Sequence, residues 1–160
     1  MSPDSGGAAV LLASAVTLHN IEEMIWLPGF KPGLAPKISA RAFRFAASVI
    51  VLVFWAFAIA ALCVPRAEAI MAGFAVAMIF NAVMPHLALT VWLRRYHPGM
   101  ATAWLAVVPA GLLMLSSTGG AARLSDPDFL ITAVAGFSGL AISLPVLLLI
   151  GRLLVGRKQS

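Results

Sequence analysis

The chain has 160 residues, of which 61% are hydrophobic and only 11% charged, and its mean hydropathy is +0.98. That balance excludes an ordinary soluble domain and points to an integral membrane protein. The formal charge of +5 invites a nucleic-acid reading, but the basic residues are spread along the chain as membrane-orienting charges.

The first apolar stretch, Gly7 to Leu27, reaches spanning length only with the polar residues His19, Asn20, Glu22 and Glu23 counted inside it. It is expected to be a transmembrane helix and not a signal peptide, because Asp4 is the only charge ahead of it and no small-residue cleavage site precedes the cluster. Pro28, Gly29, Pro32, Gly33 and Pro36 cannot continue a helix and predict a loop. A second helix starts near Ser39, has its apolar stretch from Ala46 to Val64, and is expected to turn back at Pro65-Arg66. The third runs from about Glu68, is apolar from Ala69 to Leu93, and carries Asn81, Pro85 and His86. Pro85 lacks an amide hydrogen and crowds the preceding turn, which predicts a kink near Asn81. His97-Pro98-Gly99 turns the chain into a fourth apolar stretch, Met100 to Gly119, interrupted by Pro109. A polar loop from Gly119 to Asp128 leads to the fifth, Phe129 to Leu154, and a basic tail. The expected fold is all-α, an integral membrane bundle of five transmembrane helices in one domain over residues 1–160.

With the N-terminus outside and five spans, Lys31, Lys37, Arg41, Arg44, Arg94, Arg95, Arg152, Arg157 and Lys158 fall on the cytoplasmic side, and only Arg66 and Arg123 fall outside. This is the positive-inside pattern. The expected location is the cell inner membrane, with the C-terminus cytoplasmic, the lipid bilayer as partner and no nucleic acid. The single cysteine, Cys63, excludes an intramolecular disulfide and a thiolate metal cluster, and reads as a small packing residue.

Ionisable side chains inside a membrane helix are costly and mark functional candidates. Offsets of i, i+3 and i, i+4 bring Glu22 and Glu23 within reach of His19. Depths along the helices, at about 1.5 Å per residue, put Glu23 and His86 in the same half of the membrane, with Asn81 deeper. If the first and third helices touch, one pocket collects His19, Glu22, Glu23, Asn81 and His86. Each has a plainer explanation. Either glutamate can pair with Arg41 or Arg44, Asn81 can satisfy carbonyls freed by Pro85, and His86 can bond between helices. His97 reads as a loop residue, and Tyr96, Trp26, Trp92 and Trp104 as an interfacial aromatic belt, with Trp26 and Trp92 also able to wall a pocket.

His19-x-x-Glu22-Glu23, then Asn81 and His86, then Arg95-Tyr96-x-Pro98-Gly99-x-x-Thr102-Ala103 resembles the bacterial HXXEE membrane-protein family, from about Leu18 to Pro109. The resemblance implies that His19, Glu22, Glu23, Asn81 and His86 are signature polar positions. It implies no reaction, the family being one of unknown function.

The residues leave several functions open. The first is an enzyme acting on a hydrophobic, lipid-like or isoprenoid small molecule without a metal. A carboxyl group in a low-dielectric pocket can keep its proton and deliver it to an alkene or epoxide, with Glu22 or Glu23 as acid and His86 or His19 as base. The second is a mononuclear Zn²⁺ or Fe²⁺ enzyme with ligands from His19, Glu22, Glu23 and His86. Proton-coupled transport and a structural membrane subunit are further alternatives. The residues fix neither a cofactor nor the oligomeric state.

Overall fold

The computed structural model describes residues 3–30 and 39–156. The expected loop at Lys31 to Pro36 and the tail residues Arg157 and Lys158 lie outside the described residues. Within them the chain is helical, without strands, and has five helices long and apolar enough to cross a membrane. These are α1 (Pro3–Trp26), α2 (Ala40–Ala60), α3 (Pro65–Leu93), α4 (Met100–Ser117) and α5 (Pro127–Gly156). A helix satisfies all its own backbone polar groups, so long apolar runs in lipid take this form.

The elements begin where local chemistry permits. Ser39 Oγ accepts from the Ala42 amide at 3.5 Å at the head of α2. Asp126 Oδ1 accepts from the amides of Asp128 at 3.1 Å and Phe129 at 3.3 Å, capping α5. Pro65 opens α3 instead of forming the turn expected there. An N-terminal helical position has no use for an amide hydrogen, so the reversal is made by Ala61 to Val64. Cys63 lies exposed in that reversal and packs against no core.

Two helices are interrupted. In α3 the break falls at Met84 (φ −126°, ψ 105°), three residues beyond the expected Asn81, within a widened turn Ala82–Leu87. A proline forces the residue before it into extended backbone, so Met84 yields. In α4 a widened turn Ala103–Val107 precedes Pro109, which sits in the first turn of the following segment.

The core is built from small residues and a few large ones. Ala9, Ala13, Ala46 and Ala58 are fully or almost fully buried with Leu12, Val16, Phe54, Met71 and Met114, and Phe54 and Phe57 pack on Phe74 at 4.8 and 5.4 Å. Alanines let backbones approach, which supplies packing energy where the surroundings are as apolar as the side chains. α1 lies against α2 and α4, α5 against α3 and α2, and α3 also against α4. At Gly73 an added Cβ would stand 2.0 Å from the Ala133 carbonyl oxygen, so α3 and α5 touch through backbone. Large apolar side chains such as Leu52, Ile59, Leu105, Ile131 and Leu153 point outward, the arrangement that solvation by lipid tails allows.

Candidate functional site: a buried histidine and glutamate cluster

α1 delivers His19, Glu22 and Glu23 from one helical turn. Successive residues point about 100° apart, and the two carboxylates go different ways. Glu23 turns inward beside His19, where their Oε2 and Nε2 atoms are 3.7 Å apart. α3 delivers His86, whose Nε2 is 3.3 Å from Glu23 Oε1. The break at Met84 lies two residues before His86, which is buried while Val83, Met84 and Pro85 are exposed. The two imidazoles meet edge to face with centroids 4.9 Å apart, and each is 1% exposed. One ligand-type atom from each of His19, Glu23 and His86 lies within 4.8 Å of the others. Asn81 joins them through Nδ2, 3.5 Å from His19 Nε2.

Glu22 leaves this group for the head of α4. Its Oε1 accepts from the Gly99 amide at 2.9 Å, and its Oε2 from the Thr102 amide at 3.2 Å and the Thr102 hydroxyl at 2.6 Å. The Tyr96 hydroxyl donates to it as well. Among the described residues, neither glutamate pairs with Arg41 or Arg44: their partners come from the turn after α3 and from α1, α3 and α4.

The turn between α3 and α4 completes the site, which therefore needs a third helix beyond the pair expected. Gly99 has φ +90°, and a Cβ there would lie 2.5 Å from His86 Cε1, 2.9 Å from His19 Cε1 and 3.1 Å from Glu23 Cγ. Only glycine takes this backbone without strain and leaves room for the cluster. His97 lies in the turn, as expected, but is buried there, 5% exposed. It donates through Nδ1 to the Pro98 carbonyl at 2.9 Å, and that atom lies 3.1 Å from His86 Nδ1. Burial holds the His97 imidazole below its ordinary pKa, partly opposed by its bond to Pro98. Phe30 stacks edge-on against His97 at 5.0 Å, with Arg95 over the other side of its ring at 4.6 Å. Trp26 and Trp92 are 63% and 65% exposed.

The hydrogen bonds fix the tautomer of His19. Thr102 gives its hydroxyl proton to Glu22, so toward His19 Nδ1, 3.1 Å away, it can only accept. His19 therefore carries its proton on Nδ1 and presents a lone pair at Nε2. His86 Nδ1 faces His97 Nδ1 at 3.1 Å, so one of these two nitrogens donates and the other accepts. His86 Nε2 is buried and has no hydrogen-bond partner among the described residues, the geometry to Glu23 being too poor for one. His86 Nε2 therefore also faces the cluster.

Sequence reasoning passed over His97, Tyr96, Gly99 and Thr102 as site residues. The available signal was Gly99-x-x-Thr102 at the head of a helix, a glycine followed by a capping-type hydroxyl. A second buried polar pair, Ser5 Oγ donating to Glu68 Oε1 at 2.8 Å, lies at the opposite end of α1 and α3. A groove of about 520 Å³ between α2, α3 and α5 lies apart from the cluster. Ile50, Phe57, Ile70, Phe74 and Leu140 are among its walls, and Arg66 is the one charged residue lining it.

Fold and site together define a five-helix bundle of membrane-spanning proportions with a buried His/Glu cluster near one end. The chain belongs to the HXXEE family, described as "Protein of unknown function with HXXEE motif", which matches residues 10–114. It is also similar to the uncharacterised protein YrkK of Bacillus subtilis (strain 168), 36% identical over 107 residues that cover 63% of this chain and 68% of the relative. No solved structure matches the chain.

Proposed function

We propose that the cluster is a mononuclear metal centre, in which His19 Nε2, His86 Nε2 and the Glu23 carboxylate hold one divalent transition-metal ion for catalysis on a hydrophobic small molecule. The observation that carries this is the convergence of two imidazole Nε2 atoms on one carboxylate, with His86 Nε2 buried and unsatisfied among the described residues. Ligands about 2.1 Å from a tetrahedral ion stand about 3.4 Å apart; Glu23 Oε1 and Oε2 lie 3.3 and 3.7 Å from the two nitrogens, and the three ligand atoms lie within 4.8 Å of one another, so binding would draw them slightly together. A buried imidazole nitrogen without a well-aligned partner costs free energy unless something binds it, and the Glu23 carboxylate at 3.3 Å makes no hydrogen bond to this one.

Two histidines and one carboxylate suit Zn²⁺ or Fe²⁺ and leave coordination positions for water or substrate. In such a site the ion supplies Lewis acidity and an activated water. This ordering reverses the preference for metal-free chemistry that the residues alone supported. Glu22 already accepts from four donors and is a poor candidate for the acid. In the bilayer we orient the cluster toward the cytoplasmic leaflet of the inner membrane, from the nine basic residues expected on that side against two on the other.

The test is elemental analysis of the detergent-purified chain beside Glu23→Gln and His86→Ala. About one equivalent of Zn or Fe in the wild type, lost in both variants, is the expected result. Folded wild-type protein that takes up neither ion on reconstitution would overturn the reading and return the trio to proton transfer.

A further inference from the structure

We infer that Glu22 is a positioning residue for this centre: it does not ligate the ion, and it pins the turn between α3 and α4 so that the turn sets the orientation of both imidazoles. The inference rests on the metal reading above. A carboxylate offers about four acceptor positions, and Glu22 fills them with the Gly99 amide, the Thr102 amide and hydroxyl, and the Tyr96 hydroxyl. None is left for an ion. Its charge also faces the N-terminal end of α4, where unpaired amides favour an anion.

From that anchor two chains of contact run to the ligands. The first is Glu22 to Thr102 Oγ1 at 2.6 Å, then Thr102 Oγ1 to His19 Nδ1 at 3.1 Å. It fixes the His19 proton on Nδ1 and leaves Nε2 for the metal. The second passes along the backbone from Gly99, whose amide is 2.9 Å from Glu22, to the adjacent Pro98 carbonyl, which accepts from His97 Nδ1 at 2.9 Å, an atom 3.1 Å from His86 Nδ1. Outer partners of this kind fix ring orientation and ligand basicity in metal sites. The adjacent carboxylates thus divide the work, Glu23 toward the ion and Glu22 toward the backbone that aims the histidines.

The test is Co²⁺ titration, read by visible absorption, of the full-length chain in detergent as wild type, Glu22→Gln, Thr102→Val, Thr102→Ser and Glu23→Gln. Loss of an outer partner lowers metal affinity by about 10–100-fold. We expect that loss in Glu22→Gln and Thr102→Val with one Co²⁺ still bound and the ligand-field spectrum kept, and recovery in Thr102→Ser. Glu23→Gln should change the spectrum or abolish binding.

A second readout needs no metal. Tyr96 is the only tyrosine, so alkaline absorbance reports it alone. Burial raises its pKa first, and the bond to Glu22 and that residue's charge raise it further, against the opposing Ala101 amide. Glu22→Gln should therefore bring the Tyr96 midpoint down toward the ordinary value near 10. An unchanged Tyr96 midpoint, or wild-type Co²⁺ affinity in both Glu22→Gln and Thr102→Val, overturns the assignment while leaving the metal site standing. A wild type that binds no Co²⁺ overturns the metal reading and the assignment with it.

Discussion

Replacing Gly99 by alanine is the sharpest single perturbation the geometry offers. The new methyl carbon would stand 2.5 Å from His86 Cε1, 2.9 Å from His19 Cε1 and 3.1 Å from Glu23 Cγ, whereas carbon atoms rest at about 3.5–4.0 Å. The two rings must retreat by about 1 Å or the turn must open. Holding an L-residue at φ +90° adds about 1–2 kcal/mol, and overpacking a filled interior typically adds about 1–3 kcal/mol. The expected destabilisation is therefore about 2–5 kcal/mol. Metal affinity should fall as well, because a ring displaced by that distance no longer aims its lone pair at the ion. Unfolding in mixed micelles titrated with a denaturing detergent gives the first quantity and Co²⁺ binding the second. Gly7→Ala and Gly139→Ala are the controls: nothing stands within 4 Å of a Cβ at either position. Each should be neutral or gain up to about 1 kcal/mol from better helix propensity. A Gly99→Ala protein as stable as these controls, with undiminished Co²⁺ affinity, would refute the packing of the turn against the cluster.

Two other perturbations test the frame around the site. Because burial holds the folded His97 pKa below its unfolded value of about 6.5, the unfolded chain binds a proton that the folded one resists. Its contribution is full above pH 6.5 and is lost as pH falls from there through the folded value. Comparing unfolding of wild type and His97→Gln between pH 8 and 5 should show the steeper acid loss in wild type, and parallel profiles would contradict it. At Gly73, where a Cβ would meet the Ala133 carbonyl at 2.0 Å, alanine should force α3 and α5 apart. The expected cost is about 1–3 kcal/mol or more by the same unfolding assay, and a neutral effect would show that the two backbones are not in contact.

Five helices were legible because length and apolarity are properties of a single segment, independent of its neighbours. The i, i+4 spacing of His19 and Glu23 was legible for the same reason. What Glu22 does was not, since it depends on where α4 begins relative to α1, and no pattern within α1 encodes that. Met84 shows a subtler limit. The proline was visible and its constraint falls on the residue before it, whereas the kink expected at Asn81 followed only the lost hydrogen bond one turn back. His97 looked like a loop residue because it sits in a turn, and only the packing of Phe30 and His86 around that turn buries it. The Ser5 and Glu68 pair joins residues 63 apart in sequence, a separation no local reading bridges.

The division between α5 and the rest of the bundle bears on how this chain can vary. Every group of the cluster comes from α1, from α3, or from the turn leading into α4 and that helix's head, and the family match ends at residue 114, ahead of α5 at Pro127. α5 meets α3 through Ala133 and Gly136, which lies against the Ile70 backbone, so its obligations there are of shape. Along that seam, and at Gly151, where a Cβ would stand 2.9 Å from the Ala42 Cα of α2, it can exchange a residue only for another of equal smallness, and at its outward positions almost any apolar one will serve. α1, α3 and the head of α4 answer to chemistry, whereas α5 answers only to fit, and the two parts are free to diverge at different rates.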